Sequence, residues 1–458
     1  MRGAAPHAAT FVEVAPFAPL RSTLTYRVPA DLELSVKNGV RVLVPLGARK
    51  VVGVIVGVDV EPGSLEPKHI KPILDLLDED VVLEKELLEF LLWTAAYYLV
   101  APGEVLRAAL PNCLGGQQEQ ILHLTEAGEH ALKAHGELLR RAEQDLNENE
   151  LEILVELEKR GGTIQRRRDH LKGPTLATLL VRGFVSNEVR RVQPTKPKSD
   201  LLIKVIEPMD WEGVSRAPAQ RRFLELVQNA GGQAYLGSLI EVPRDARSLA
   251  KKLAFKGFLE VEEVEIPRDP FAAEPIQPDP KHELKDEQKA ALDPMLDAVQ
   301  QGEYKGFLLH GITGSGKTEI YLRLIADVIQ KDRTALVLVP EISLTPQLAA
   351  RFRARFGDQI AVLHSGLSDG ERYDQWRRIR AGQVQIVVGA RSAIFAPLRK
   401  LGVVIVDEEH DSSFKQEEGV RYNARDLALV RAKRTKAIAV LGSATPSLES
   451  YYGANQGR

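Results

Sequence analysis

The chain of 458 residues has one cysteine, Cys113, which excludes an internal disulfide and any self-contained cysteine-based zinc site. It also lacks an excess of either charge. Lys and Arg number 61 against 63 Asp and Glu, a net charge of −2, so any nucleic-acid surface has to be a local patch. No long hydrophobic run is present: the most apolar stretch, around Phe90–Val100, is too short to span a bilayer. Residues Met1–Thr10 lack the charged and apolar regions of a signal peptide, which points to a cytoplasmic protein. The 44% hydrophobic and 27% charged content supports a sizeable core and excludes disordered and collagen-like chains. At this length one core is too small a unit, and several domains are expected.

Four regions are expected, together a multidomain α/β chain. Residues 1–113 open with β-like text at Leu24–Val28, Val40–Val44 and Val51–Val60, rich in Val and Tyr between Gly and Pro. Leu83–Tyr98 follows as an amphipathic helix with Glu84, Lys85 and Glu89 on its charged face, and Leu106–Pro111 closes the unit. The expectation is a barrel-like or curled sheet with one packed helix. Residues 117–266 carry a weak internal repeat. Ile153-Leu154…Leu157…Gly161-Gly162 resembles Phe223-Leu224…Val227…Gly231-Gly232, and Arg182-Gly183-Phe184-Val185 resembles Lys256-Gly257-Phe258-Leu259. Helix, Gly-Gly turn, helix and a Gly-Phe turn into a hairpin is the pattern of a winged helix, here in tandem; helical packing with coincidental Gly-Phe turns is the alternative. Residues 267–281 are a linker, with five prolines in Pro267–Pro280. In residues 282–458, short apolar runs at Gly306–Leu309, Ala335–Val339, Ile360–Leu363, Val384–Val388, Val403–Val406 and Ala437–Leu441 alternate with helical stretches. Unbroken β-branched runs imply strands buried on both faces, hence a parallel α/β sheet.

The chemistry is concentrated in this last region. Gly311-Ile312-Thr313-Gly314-Ser315-Gly316-Lys317-Thr318 fits G-x-x-x-x-G-K-[ST] between a strand and a helix. Its glycines let backbone N–H groups turn inward around phosphate oxygens, where a helix N-terminus adds positive potential. Lys317 would reach the β- and γ-phosphates and Thr318 would ligate Mg²⁺. Downstream, Val403–Val406 runs into Asp407-Glu408-Glu409-His410. Asp407 would hold the metal and Glu408 polarise water towards the γ-phosphate, while Glu409 and His410 could instead anchor the loop. Gly442-Ser443-Ala444-Thr445-Pro446 ends the last strand, where small hydroxyl residues can sense the γ-phosphate. The order of the three motifs points to a helicase or translocase rather than a metabolic kinase. Local charge agrees: ten Lys and Arg against four Asp and Glu lie between Pro346 and Lys400, with Arg391, beside a strand end, the strongest candidate for a phosphate-backbone contact. Nine basic residues against three acidic lie in Ile164–Asp200, including Arg166, Arg167 and Arg168, which suits DNA or an ordinary solvated face.

These residues resemble the primosomal protein N′ family, the PriA replication-restart helicases of superfamily 2. The resemblance runs through Gly311–Tyr321, Val337–Leu348, Val362–Arg372, Ala390–Pro397, Val406–Ala428 and Gly442–Ser450, and through Thr25–Pro29, Gly39–Gly47 and Leu91–Pro111 near the N-terminus. It implies an N-terminal domain that binds a 3′ DNA end and a C-terminal RecA-like P-loop lobe. It further implies that Gln288 reads adenine, that Lys317 and Thr318 hold ATP and Mg²⁺ together with Gly311, Thr313, Gly314, Ser315 and Gly316, and that Asp407 and Glu408 form a DExH box. The loop Asp411–Tyr422, with Phe414, Lys415, Arg421 and Tyr422, would couple single-stranded DNA to hydrolysis, a base stacking on Phe414 or Tyr422 unless those rings serve the core. Gly47 and Lys71 match positions of the 3′-end pocket. Where the family often places an aromatic and an acidic residue, this chain has Leu24 and Thr25; Thr25 keeps a hydroxyl for the 3′ end, but stacking at 24 is lost.

By the same resemblance the activity is ATP-dependent 3′→5′ unwinding that remodels abandoned forks and permits reloading of the replicative helicase. The implied partners are forked and single-stranded DNA, single-stranded DNA-binding protein, primosome proteins and the helicase loader, with no membrane. The family carries a cysteine-rich two-zinc module and a second lobe beyond the position matching Ser450; no zinc ligands for that module occur here. The expectation is therefore weak ATP binding and scarcely any turnover by this polypeptide alone, or, in the alternative, a non-catalytic fork-binding module.

Overall fold

The computed structural model describes residues 10–62, 66–115, 118–137, 146–165, 174–191, 199–207, 217–239, 243, 245–265, 268 and 283–457. Arg166, Arg167, Arg168 and the linker 267–281, Arg268 excepted, lie outside them. The chain divides into two compact units, Met1–Pro194 and Thr195–Arg458, a boundary that falls inside the repeat region.

The first unit begins with β1 (Phe11–Pro16), β2 (Leu24–Arg27), β3 (Arg41–Leu46), β4 (Arg49–Val58) and β5 (Asp75–Leu76), in the sheet order β2-β1-β4-β3-β5. All the pairings are antiparallel. The sheet closes on itself. Arg27 of β2 exchanges backbone hydrogen bonds with Lys71 and Ile73, and the same segment goes on to donate from Leu74 and Leu77 to Leu43 and Arg41 of β3. Val12, Val14, Val42, Val44 and Ile55 alternate inward to fill it. Helix α1 (Lys85–Tyr97) matches expectation, but the single packed helix does not. Pro102 starts a second helix, α2 (Pro102–Ala108), because proline suits the first turn, where no N–H partner is needed. Buried Arg41 meets Asp78 through Nε and Nη2 and gives Nη1 to Leu114 O, so one guanidinium ties the barrel both to Asp78 and to the segment around Cys113.

The repeat is built twice on one plan. In the first unit β6 (Gln118–Leu124), α3 (Glu126–Glu137), α4 (Glu148–Lys159), β7 (Thr163–Gln165), α5 (Pro174–Val181) and β8 (Val185–Arg191) form a sheet ordered β7-β6-β8. In the second unit β9 (Ser199–Val205), α6 (Pro218–Asn229), β10 (Gln233–Tyr235), α7 (Ala246–Phe255) and β11 (Leu259–Glu265) form β10-β9-β11. The Gly-Gly turns at 161–162 and 231–232 all have positive φ, as do Gly183 and Gly257, which is why glycine recurs there. Gly162 and Gly232 close matching bonds to Leu157 O and Val227 O, and Phe184 and Phe258 to Leu179 O and Leu253 O.

The rest of the second unit is an α/β layer. Its elements are α8 (Asp286–Gln301), β12 (Gly306–His310), α9 (Lys317–Gln330), β13 (Thr334–Leu338), α10 (Pro346–Phe356), β14 (Ile360–Leu363), α11 (Asp369–Arg380), β15 (Ile386–Gly389), β16 (Leu401–Asp407), α12 (Ala424–Arg434), β17 (Ile438–Ser443) and α13 (Leu448–Asn455). The six strands run parallel in the order β12-β17-β16-β13-β15-β14. Val403, Ile405, Ile438 and Val440 are buried in the same cluster as Leu322 and Ile325 of α9. Among the described residues no helix is long and apolar enough to cross a membrane.

Candidate active site

The carboxyl ends of three neighbouring strands, β12, β17 and β16, carry the three motifs, the place where open parallel sheets bind ligands. Gly311 leaves β12 and its N–H bonds Ser443 O at the end of β17, 3.1 Å away. Gly314 and Gly316 take φ of 80° and 88°, a region closed to ordinary side chains, and α9 starts at once with Lys317. An added Cβ at Gly314 would meet nothing within 4 Å, so the loop is an open cradle. Gln288 of α8 braces it: its Nε2 donates to Ser315 O at 2.8 Å and its Oε1 accepts from Lys285 N.

Lys317 is buried, its Nζ 2.9 Å from Gly311 O and 3.6 Å from Glu408 Oε1. The cation thus spans the cradle, reaching the carboxylate expected to act on water. Thr313 is exposed and Thr318, the second residue of α9, half-buried. Asp407 ends β16, and its Oδ1 accepts a 3.0 Å bond from the Tyr321 hydroxyl. Burial pushes the Asp407 carboxyl above its ordinary range; the Tyr321 bond draws it down, Glu408 pushes it up and Lys317 draws it down. Burial, with Asp407 and Glu408 nearby, also pushes the Tyr321 phenol well up, so it stays a donor. Glu408 has φ of 47°, a left-handed conformation that costs a residue with a Cβ about 1–2 kcal/mol and turns its carboxylate out of the strand line.

The two remaining residues of the box are wired to β17 and α13. Glu409, 1% exposed, accepts from Ser447 N, Ser447 Oγ, Ser450 Oγ and Arg425 Nη1 at 2.6–3.2 Å. Burial pushes its carboxyl up, but these bonds more than offset it, leaving it below the ordinary range. His410 Nδ1 lies 2.7 Å from Ser443 Oγ, which in turn accepts from Thr445 N. A continuous path therefore joins the box to Ser443 and Thr445.

Expectation and structure part at the loop after the box. Phe414 is 2% and Tyr422 6% exposed, Tyr422 packing at 5.0 Å against Phe395. As folded neither ring offers a face to a base; both are corrected to buried residues of the loop, Tyr422 through a partner 27 positions away in sequence. Arg391 is drawn in as well: its Nη1 donates to Ser413 O and Lys415 O, pinning the loop. Lys415 and Arg421 stay exposed. Of the other basic side chains there, Arg355 bonds buried Glu319 and Arg372 bonds His364 O.

In the first unit, Tyr26 OH donates to Pro45 O at 3.0 Å, drawing β2 towards the β3–β4 turn at Gly47, whose φ is 60°. Arg27 N bonds Lys71 O. Thr25, Gly47 and Lys71 thus lie within two residues of one bonded junction. Glu13 stands opposite Thr25 across β1–β2.

Sequence reasoning missed Tyr321 at the site, and it did not place Glu13, whose carboxylate accepts from the Thr23 hydroxyl, opposite Thr25. Tyr321 lies four residues after Lys317 on one helix, hence on the same face, and that spacing was the available signal. For Glu13 no signal existed before the strand register was known.

This arrangement defines a P-loop nucleotide-binding lobe of the helicase class, and residues 285–452 match the DEAD/DEAH box helicase family. Residues 13–111 match the PriA 3′ DNA-binding domain family. The chain is a homologue of the replication restart proteins PriA. It is 39% identical over 438 residues to that of Bacillus subtilis, covering 94% of this chain and 52% of that protein. To that of Synechocystis it is 39% identical over 436 residues, 93% and 51% of the two chains. The chain therefore spans about half the length of the curated relatives it matches. A solved RecG bound to a three-way DNA junction is 24% identical over 39% of this chain and 23% of that one, with a TM-score of 0.31, too low to carry weight.

A lobe of this class implies ATP and Mg²⁺, and the residues present fit them: an open cradle, a buried cation over it, and a carboxylate held by one hydroxyl. Among the described residues no cluster of His, Cys, Asp or Glu could hold a metal unaided. An Asp407 that held Mg²⁺ would have to be ionised, and because burial raises it, Mg²⁺-dependent nucleotide affinity is expected to fall as pH drops through a midpoint above the usual aspartate range. Tyr321→Phe removes a bond favouring the ionised form and should move that midpoint higher, read by fluorescent-nucleotide titration across pH. The sign for folding is opposite. A raised carboxyl holds its proton more tightly when folded, so its stabilisation is present at low pH and lost as pH rises through the folded value.

Proposed function

We propose that this chain is the fork-recognising and ATP-binding portion of a replication restart helicase of the PriA type. The observation that carries the reading is the convergence of Lys317, Asp407, Glu408 and Ser443 on three adjacent strand ends, wired through His410, in a chain that also holds a 3′ DNA-binding domain. Gly311, Thr313, Gly314, Ser315, Gly316, Lys317 and Thr318 cradle the triphosphate, Gln288 sets the loop beside the base, and Thr318 and Asp407 meet Mg²⁺. Bound ATP and Mg²⁺ supply the phosphoryl chemistry. Glu408 orients water, and loss of the γ-phosphate is relayed through His410 to Ser443 and Thr445. Lys415 and Arg421 meet the DNA backbone, with Arg391 setting their loop. At the first unit Thr25, Gly47 and Lys71 receive the 3′ end, and Glu13 brings the carboxylate that position 25 lacks.

The domains of this reading are the end-binding barrel (1–113), two winged helices (117–266), a linker (267–281) and the helicase lobe (282–458). The protein acts in the cytoplasm on forked and single-stranded DNA, unwinds 3′→5′, and works with single-stranded DNA-binding protein, primosome proteins and the loader of the replicative helicase.

The test is ATP turnover by this 458-residue polypeptide, with and without forked DNA bearing a leading-strand 3′ end. An arginine finger from a facing lobe is typically worth ~10³–10⁵ in rate, so fork binding with turnover close to background is expected. Fork-stimulated turnover at the rate of the longer relatives would contradict that division of labour. The second reading, a fork-binding module that never hydrolyses ATP, predicts no nucleotide binding at all.

A further inference from the structure

Among the described residues, α7 of the second copy carries a cationic face that the matching helix of the first, α5, does not. Along α7, Ser248, Lys251, Lys252 and Phe255 are exposed at i, i+3, i+4 and i+7, one stripe of the helix, and Lys256 follows at its end. With Gln220 of α6 they line an open groove of about 520 Å³. Phe255 is 95% exposed, and the core of this copy is made without it, from Ala246, Leu249, Ala250 and Leu253 on the other face of the helix.

Comparison of the two copies isolates what is special. Spacings of 70 and 74 residues place Glu150 where the second copy has Gln220, Ala177 and Thr178 where it has Lys251 and Lys252, Val181 for Phe255 and Arg182 for Lys256. In the first copy Arg182 pairs with the buried Glu150 carboxylate at 3.1 Å and lies 4.6 Å over the Phe184 ring, so its charge is compensated. In the second copy the one partner of Lys256 Nζ among the described residues is the neutral amide oxygen of Gln220, at 3.0 Å. Among the described residues neither Lys251 nor Lys252 has a carboxylate within 4.0 Å. One copy has neutralised this face; the other has added cations, removed the counter-ion and set a bare ring among them.

We propose that the α7 face is a binding site for single-stranded DNA, Lys251, Lys252 and Lys256 meeting successive phosphates and Phe255 stacking on an unpaired base. Lysines alone would suit any polyanion. The exposed ring decides for an unpaired strand, since a duplex hides its base faces and an acidic peptide offers none. The site rests on the reading of this chain as DNA-acting, and is additional to the 3′-end junction and to the loop after the box.

The experiment uses the 458-residue chain and a labelled oligo(dT) whose 3′ end is blocked by phosphate, so that end capture does not contribute. Affinity is followed by anisotropy over a salt series. The Lys251→Ala/Lys252→Ala pair is expected to weaken binding about tenfold and to lower the salt slope by about 1.4, two phosphates' worth for a single strand. Phe255→Ala should weaken oligo(dT) about fivefold or more while leaving a blunt duplex unchanged. Gln220→Glu, which installs the first copy's counter-ion, should weaken binding several-fold with every lysine in place; Lys204→Ala, elsewhere in the same copy, should change nothing. Lys204, Lys251, Lys252 and Phe255 are exposed and Gln220 is half-buried, and melting curves verify the fold of each variant. Unchanged affinity and slope in the lysine and Phe255 variants would overturn the site, as would equal losses on duplex for Phe255→Ala. So would loss of a labelled polyglutamate peptide with DNA binding intact, which would assign the face to an acidic protein. Failure of the unmodified chain to bind any DNA would instead sink the proposed function itself.

Discussion

A Lys317→Ala chain is expected to lose nucleotide binding by about 10–10²-fold, the scale of one charge-assisted hydrogen bond at about 1.5–3 kcal/mol. In the longer relatives, at saturating nucleotide, the matching substitution should lower turnover by a further ~10²–10³, as when one preorganised donor is removed from developing charge. The local geometry adds a second loss. Lys317 stands 3.6 Å from Glu408 and draws the Asp407 carboxyl down. Without it Glu408 is uncompensated, the raised Asp407 rises further, and Mg²⁺ meets a carboxyl more often protonated. The variant should therefore show a nucleotide affinity that recovers in part as pH is raised, a dependence that loss of a phosphate contact alone would not produce. Titration with a fluorescent nucleotide at two pH values separates the two losses. Glu408→Gln is the contrasting variant: it keeps Lys317 and Asp407, so binding should persist while turnover in the matching variant of a longer relative fails. Retention of wild-type affinity by Lys317→Ala would mean that the cradle is not the nucleotide site.

The lobe was the most legible part of the chain, for a physical reason. Strands of a parallel sheet are buried on both faces and read as unbroken apolar runs: Val403–Val406 was read from the sequence where β16 runs Leu401–Asp407, and Ile360–Leu363 was read as it stands. The P-loop was legible because its glycines are demanded by backbone conformation, which glycine alone meets cheaply. In the barrel, β1 and the helix α2 escaped notice. β1 ends on a proline, and the short text of α2 reads as a loop until Val105 and Leu106 are seen buried. The roles of Phe414 and Tyr422 were not decidable in advance, since an aromatic ring in a loop is equally a stacking platform or a plug. What decided them was packing such as that of Phe395 on Tyr422, contact between segments that sequence order does not bring together. Arg391 teaches the converse. Beside a strand end it reads as a phosphate ligand, yet it spends its guanidinium on two carbonyls of the loop that carries Lys415, and so bears on DNA through position.

Gly39→Ala is expected to destabilise the N-terminal barrel by about 2–5 kcal/mol. Two independent costs contribute. Gly39 has φ of 84°, where a Cβ costs about 1–2 kcal/mol. That Cβ would also overlap the carbonyl oxygen of Leu83 and lie 3.0 Å from its carbonyl carbon and from Val81 Cγ1, an overpacking typically worth 1–3 kcal/mol. Relief is blocked because the offending group is backbone: Val82 N and Leu83 N both donate to Gly39 O at 3.1 Å, and Gly39 N donates to Ile55 O at 2.8 Å. Moving Leu83 away would break the bonds that fasten the start of α1 to the sheet. Thr25, Gly47 and Lys71 lie on that sheet, so 3′-end binding should be lost as the barrel melts, whereas nucleotide binding, built wholly from the second unit, should persist. Thermal unfolding followed with and without nucleotide tests this: the barrel transition shifts down and the nucleotide-dependent transition stays. Loss of both together would mean that the two units unfold as one.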